Sequence, residues 1–119
     1  MTADHIRQKI QQVKKQRLTE LDLKDNSLTE IPTEVFELEW LETLNLTWNK
    51  LTSVPEDISR LTNLSQLILN GNELTSVPQT ISRLTNLSDL HLTENQLTSV
   101  PEAIFRLTNL STLYLGLAE

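Results

Sequence analysis

The sequence predicts an α/β repeat solenoid, with a parallel ladder of short strands on one side and short helical turns on the other, closed at its N-terminus by one helix. Three observations predict it. Leu18, Leu41, Leu64, Leu87 and Leu110 recur every 23 residues. Each opens an L-x-x-L-x-L run, whose period of two gives a short strand with one buried face. Pro32, Pro55, Pro78 and Pro101 stand at one place in their units, where proline suits the first position of a helical turn. The repeats are 18–40, 41–63, 64–86, 87–109 and a partial fifth, 110–119. Residues 1–17 are a separate segment.

That segment carries a net charge of +4 and the remainder −10, within a total of −6. Ile6, Ile10 and Val13 fall at i, i+4 and i+7, one apolar stripe on a basic helix. The stripe is expected to cap the first repeat, with Thr2 or Asp4 at the helix start and the basic face near Glu20, Asp22, Glu30 and Glu34.

Within each unit the strand is followed by Asn26, Asn49, Asn72 or Asn95 at one offset. A ladder of amides is expected there, each bonding the backbone of its turn and of the next repeat. Leu28, Leu51, Leu74 and Leu97 then point inward, as do Ile31, Val54, Val77 and Val100. The helical turns are expected to bury Val35 and Leu38, Ile58 and Leu61, Ile81 and Leu84, and Ile104 and Leu107. One unit cannot bury its apolar face alone, so stability comes from stacking. The chain has 24 leucines and 4 % aromatics, which suits layers of nearly equal volume.

The repeat resembles the leucine-rich repeat family, in its 23-residue typical class. The pattern LxxLxLxxNxLxx[IV]Pxx[IV]xxLxx is matched by LNLTWNKLTSVPEDISRL, Leu44–Leu61. The likeness covers residues 18–117, and the repeats are similar to those of intracellular Ras-group and bacterial Roco-type repeat domains. It implies a right-handed curved solenoid with the parallel sheet on its concave face, where members of the family mostly bind other proteins. The fifth unit departs from the pattern. Ala118 stands where the asparagine belongs, and no C-terminal cap follows. Leu110, Leu113, Leu115 and Leu117 are therefore expected to form an exposed, self-associating edge.

The expected function is a protein-interaction module with no chemistry or cofactor of its own. The alternatives are a regulatory segment of a larger Roco-GTPase-like protein and a module that assembles through its uncapped end. Alternation puts positions three, five, seven and eight of each unit on the concave face. Between units three and four eight of 23 residues differ, and all four concave positions are among them. The outward residues Ser59, Arg60, Thr62 and Asn63 recur unchanged as Ser82, Arg83, Thr85 and Asn86. Selection on the concave face explains this contrast better than drift. Trp48, Ile68, His91 and Tyr114 are the candidate anchors, flanked by Asn45, Gln66, Asp89 and Glu94. Trp48 has a second reading, packed on a flanking turn, and Trp40 is expected at the junction with the capping helix. Arg60, Arg83 and Arg106 form an outward column, expected to pair with Asp57 and Glu102.

Other classes find little support. Asp89, His91 and Ser88 lack a pocket and an oxyanion hole. Two histidines and no cysteine make no metal set, and no GxxxxGK[ST] motif is present. The acidic balance disfavours nucleic acid and anionic membranes. The Asn-Leu-Thr/Ser triplets at Asn45, Asn63, Asn86 and Asn109 belong to the repeat. A polar N-terminus and the lack of cysteine lead to a cytoplasmic expectation.

Overall fold

The computed structural model describes residues 3–118. Five strands form one parallel sheet in chain order: β1 (Glu20–Asp22), β2 (Thr43–Asn45), β3 (Gln66–Ile68), β4 (Asp89–Leu92) and β5 (Thr112–Leu115). Each residue pairs with the one 23 positions later, Leu21 with Leu44, Leu44 with Leu67, Leu67 with Leu90 and Leu90 with Leu113. Sequence period and sheet register are thus one number. The first four repeats each return through a five-residue 3-10 helix, at Thr33–Glu37, Glu56–Arg60, Gln79–Arg83 and Glu102–Arg106. This is the architecture of a leucine-rich repeat solenoid.

The prolines sit one residue earlier than expected. Each precedes its helix, and its carbonyl accepts the first 3-10 bond, as Pro55 does from the Ile58 N–H at 3.1 Å. A residue in that place needs no donor, so proline stiffens the turn without losing a bond. The core between sheet and turns is aliphatic, with Leu44, Leu46, Leu67, Leu69, Leu90 and Leu92 fully buried. Ile31 and Val54 are buried as well, whereas Val77 and Val100 are half-buried.

The helix α1 (Asp4–Gln16) buries Ile6, Ile10 and Val13 against the first repeat. It begins after Ala3 with no side-chain cap, so Asp4 is its first residue rather than its cap, and Thr2 lies outside the described residues. Arg17 ends it in the left-handed region, φ 52°, and the Leu18 N–H donates to the Val13 carbonyl. Its basic face meets Glu37, through Lys14 at 3.1 Å, instead of the four carboxylates expected from sequence. Both partners are half-exposed, and the pair adds little stability. The Arg17 guanidinium lies 4.0 Å from the Trp40 ring centre, and Trp40 Nε1 donates to the Leu18 carbonyl at 2.9 Å. That joint fixes the helix to the first repeat, as expected for Trp40.

The asparagine ladder runs backward, to the preceding repeat. Asn72 Nδ2 donates to the carbonyls of Leu69, the residue after β3, and Leu46, the residue after β2, each at 3.0 Å. Its Oδ1 accepts the Leu51 N–H of the preceding repeat. Asn49 and Asn95 do the same, with Oδ1 accepting from Leu28 and Leu74. The direction follows from geometry, because the turn after one strand lies beside the turn of the repeat already stacked. Asn26 has no repeat before it, and there His5 Nε2 lies 2.9 Å from its Oδ1. As the Nε2–H tautomer, the capping helix supplies the donor that a preceding repeat would have given.

Asn72→Ala should lower stability in urea unfolding by about 3 kcal/mol, since it orphans buried backbone groups. Asn26→Ala, at the half-buried end of the ladder, should cost about 1 kcal/mol.

Candidate sheet-face interface

Position eight of each repeat breaks the strand in a defined way. Asp25, Trp48, Gly71 and Glu94 all have positive φ, between 55° and 73°. Asn49, Asn72 and Asn95 follow immediately, so this left-handed residue turns each chain into the amide ladder. A side chain here carries a backbone cost that glycine avoids. Trp48, at φ 55°, is 56 % exposed, a bulky residue kept in a strained place.

Its ring lies over Gly71 of the next repeat. A Cβ built on Gly71 would fall 2.6 Å from Trp48 Cδ2 and 2.8 Å from Cζ3. Glycine therefore serves twice at 71, in the turn and as the seat of the indole. The indole packs on the neighbouring turn, as the second reading of Trp48 expects, while the residue stays 56 % exposed.

The remaining anchors lie one strand apart. Asn45, Ile68, His91 and Tyr114 are in register across β2 to β5. His91 and Tyr114 stack with ring centres 4.6 Å apart, tilted by 36°. Tyr114 is half-exposed and Ile68 half-buried. A polar row runs beside them. Thr43 Oγ1 donates to Gln66 Oε1, and Gln66 Nε2 donates to Asp89 Oδ2 at 2.9 Å. Asn45 Oδ1 accepts from the Thr47 N–H and hydroxyl, so that amide is partly committed to its own loop. Glu94 is exposed at the edge of the face.

The open end differs from every other layer. Leu113 is 38 % exposed, while its register mates Leu21, Leu44, Leu67 and Leu90 are 0–1 %. Leu117 is exposed, but Leu110 and Leu115 pack partly against the core. Sequence reasoning missed Phe105, which is 75 % exposed, whereas Phe36 at the same repeat position is 2 % exposed. The available signal was Ser59 and Ser82 in that column, which mark it as a surface position. Gly71 was missed as the seat of Trp48, although glycine one repeat after an exposed tryptophan was visible.

On the outward side, Arg60 pairs with Glu39 at 3.4 Å and not with Asp57. Among the described residues, Arg106 has no ion pair with Glu102. Asp89 receives the Gln66 amide, His91 stacks on Tyr114, and the Ser88 hydroxyl donates to the Ser65 carbonyl. No cluster of three His, Asp or Glu able to hold a metal occurs among the described residues, and no helix there is long and apolar enough to cross a membrane. A groove of about 290 Å³ between α1 and the first repeat, lined by Ile6, Asn26, Leu28 and Glu34 among others, lies away from the anchors.

The model of the leucine-rich repeat region matches residues 5–118. Among solved structures, a leucine-rich repeat protein of Leptospira interrogans is 33 % identical with a TM-score of 0.70, over 82 % of this chain and 31 % of its own. The leucine-rich repeat domain of the type III effector XopL is 26 % identical with a TM-score of 0.73, over 83 % of this chain and 38 % of its own. The chain thus spans about a third of each solved chain's length. Among curated proteins, none matches it significantly.

Gly71→Ala should displace the Trp48 indole and shift its NMR resonances, while the Trp40 indole, bonded to Leu18, stays in place.

Proposed function

The chain belongs to the leucine-rich repeat family, and from that premise we propose that it is a protein-interaction module that captures its partner on the concave sheet face. The observation that carries this reading is the exposed pair Trp48 and Tyr114, with Ile68 and His91 between them in register. Aromatic side chains on a rigid sheet desolvate large area at small entropic cost, which is how interface anchors work. The backbone beneath them is fixed by the amide ladder, so the anchors are preorganised. Asn45, Gln66, Asp89 and Glu94 supply the polar rim. The module carries no catalytic group of its own, and its setting in this reading is the cytoplasm.

The experiment is partner capture from extract. Trp48→Ala combined with Tyr114→Ala should abolish capture while leaving the thermal midpoint nearly unchanged. Undiminished capture by that variant would refute the assignment.

A second reading rests on the exposure of Phe105, Leu113 and Leu117 at the open end. There the chain would self-associate, or meet further repeats of a larger signalling protein of the Roco-GTPase kind. A P-loop encoded downstream of Glu119 would support the latter. Light scattering over a range of concentrations tests self-association. The reading expects a mass that rises with concentration and returns to the monomer in Phe105→Ser, which copies Ser59 and Ser82. A monomer throughout removes it.

A further inference from the structure

The sheet face is charged at two places and neutral between them. The first repeat puts Glu20, Asp22 and Asp25 there against Lys24, a local charge of −2. The fourth puts Asp89 and Glu94 there, again −2. The second and third repeats put no charge on that face, and instead hold Trp48 and Ile68. Lys24 is drawn toward Asp22, 3.9 Å away, so Glu20 and Asp25 keep no ion pair among the described residues. Asp89 shares one oxygen with the Gln66 amide, and Glu94 is exposed.

The spacing of this pattern has a chemical complement. From β1 to β4 there are three strand steps, about 14 Å. An extended chain rises about 3.3–3.6 Å per residue, so its residues i and i+4 are about 13–14 Å apart. Residues i, i+2 and i+4 of such a chain also point the same way. A segment crossing the strands therefore sets its first and fifth side chains over the two acidic ends. Its third then falls midway, between the repeats that carry Trp48 and Ile68.

We propose that the sheet face takes an extended, doubly basic segment of a partner protein, Lys/Arg-x-Φ-x-Lys/Arg with Φ apolar. One cation lies over Asp25, the other over Glu94, and Φ packs on Trp48, whose ring reaches over Gly71 in the same row. The proposal rests on the sheet-face reading above and deepens it by naming the chemistry of the partner. It also accounts for the charge-free middle, where a buried carboxylate would be costly once covered by an apolar side chain.

The test titrates the full chain with a capped peptide, Gly-Lys-Thr-Leu-Thr-Lys-Gly, and follows backbone amide shifts by NMR. The lysine peptide should move amides around Asp25, Gly71 and Glu94 and saturate at low-millimolar concentration. Asp25→Asn with Glu94→Gln, which leaves the fold intact because both carboxylates are exposed, should weaken binding by about tenfold, as should raised salt. A peptide with glutamate for both lysines should bind far more weakly. Equal shifts from the glutamate peptide would overturn the charge pattern and leave the sheet-face reading standing. Failure of the lysine peptide to move any sheet-face amide would overturn the proposal, while the reading beneath it is judged separately by the Trp48 and Tyr114 variant.

Discussion

The rest of the structure depends on three amides, Asn49 and Asn72 buried and Asn95 half-buried. Asn49, Asn72 and Asn95 each bridge their own strand to the one before and accept a backbone N–H from the preceding turn. A strand of three or four residues has too few ladder bonds to hold its place alone. The amide fixes the chain where it leaves the sheet, at the residue that takes positive φ. Every layer thereby starts its return from the same point, and leucines of equal size stack without voids. No buried side-chain nitrogen or oxygen among the described residues is left without a partner.

This division of labour frees the sheet face. Stability lies mainly in the core, the 3-10 turns and the amides, so positions three, five and seven can vary at small cost to the fold, and position eight at the cost of a left-handed backbone. Trp48 shows the limit of that freedom, because its left-handed backbone and broad ring need Gly71 beside it. The two ends are handled differently. At the N-terminus α1 replaces a missing repeat in both its roles, with Ile6, Ile10 and Val13 covering apolar surface and His5 reaching the first asparagine. At the other end Ala118 donates its backbone N–H to the Leu97 carbonyl but has no side-chain amide to accept the Leu97 N–H, and Leu113 and Phe105 stay exposed.

Much of this was legible in the sequence because the repeat makes the chain its own alignment. The 23-residue spacing of leucines set the strands, the register and the sheet face together. Features that depend on a neighbour's exact placement were not legible. The backward direction of the ladder follows from which turn is already stacked beside it. The Lys14–Glu37 and Arg60–Glu39 pairs were missed because long exposed side chains choose partners by reach across repeats. The exposure of Phe105 was not read, because apolar character alone does not say which way a 3-10 turn points a side chain.

Amide hydrogen exchange of Leu51, Leu74 and Leu97 tests the central claim most directly. The Leu51 and Leu74 N–H groups donate to Asn72 and Asn95, whereas no asparagine among the described residues accepts the Leu97 N–H. If the ladder fixes the repeats, Leu51 and Leu74 exchange only through global unfolding, and Leu97 exchanges faster by about a thousandfold or more. Equal protection at all three, or fast exchange at Leu51, would mean that the core alone holds the register and the ladder is incidental.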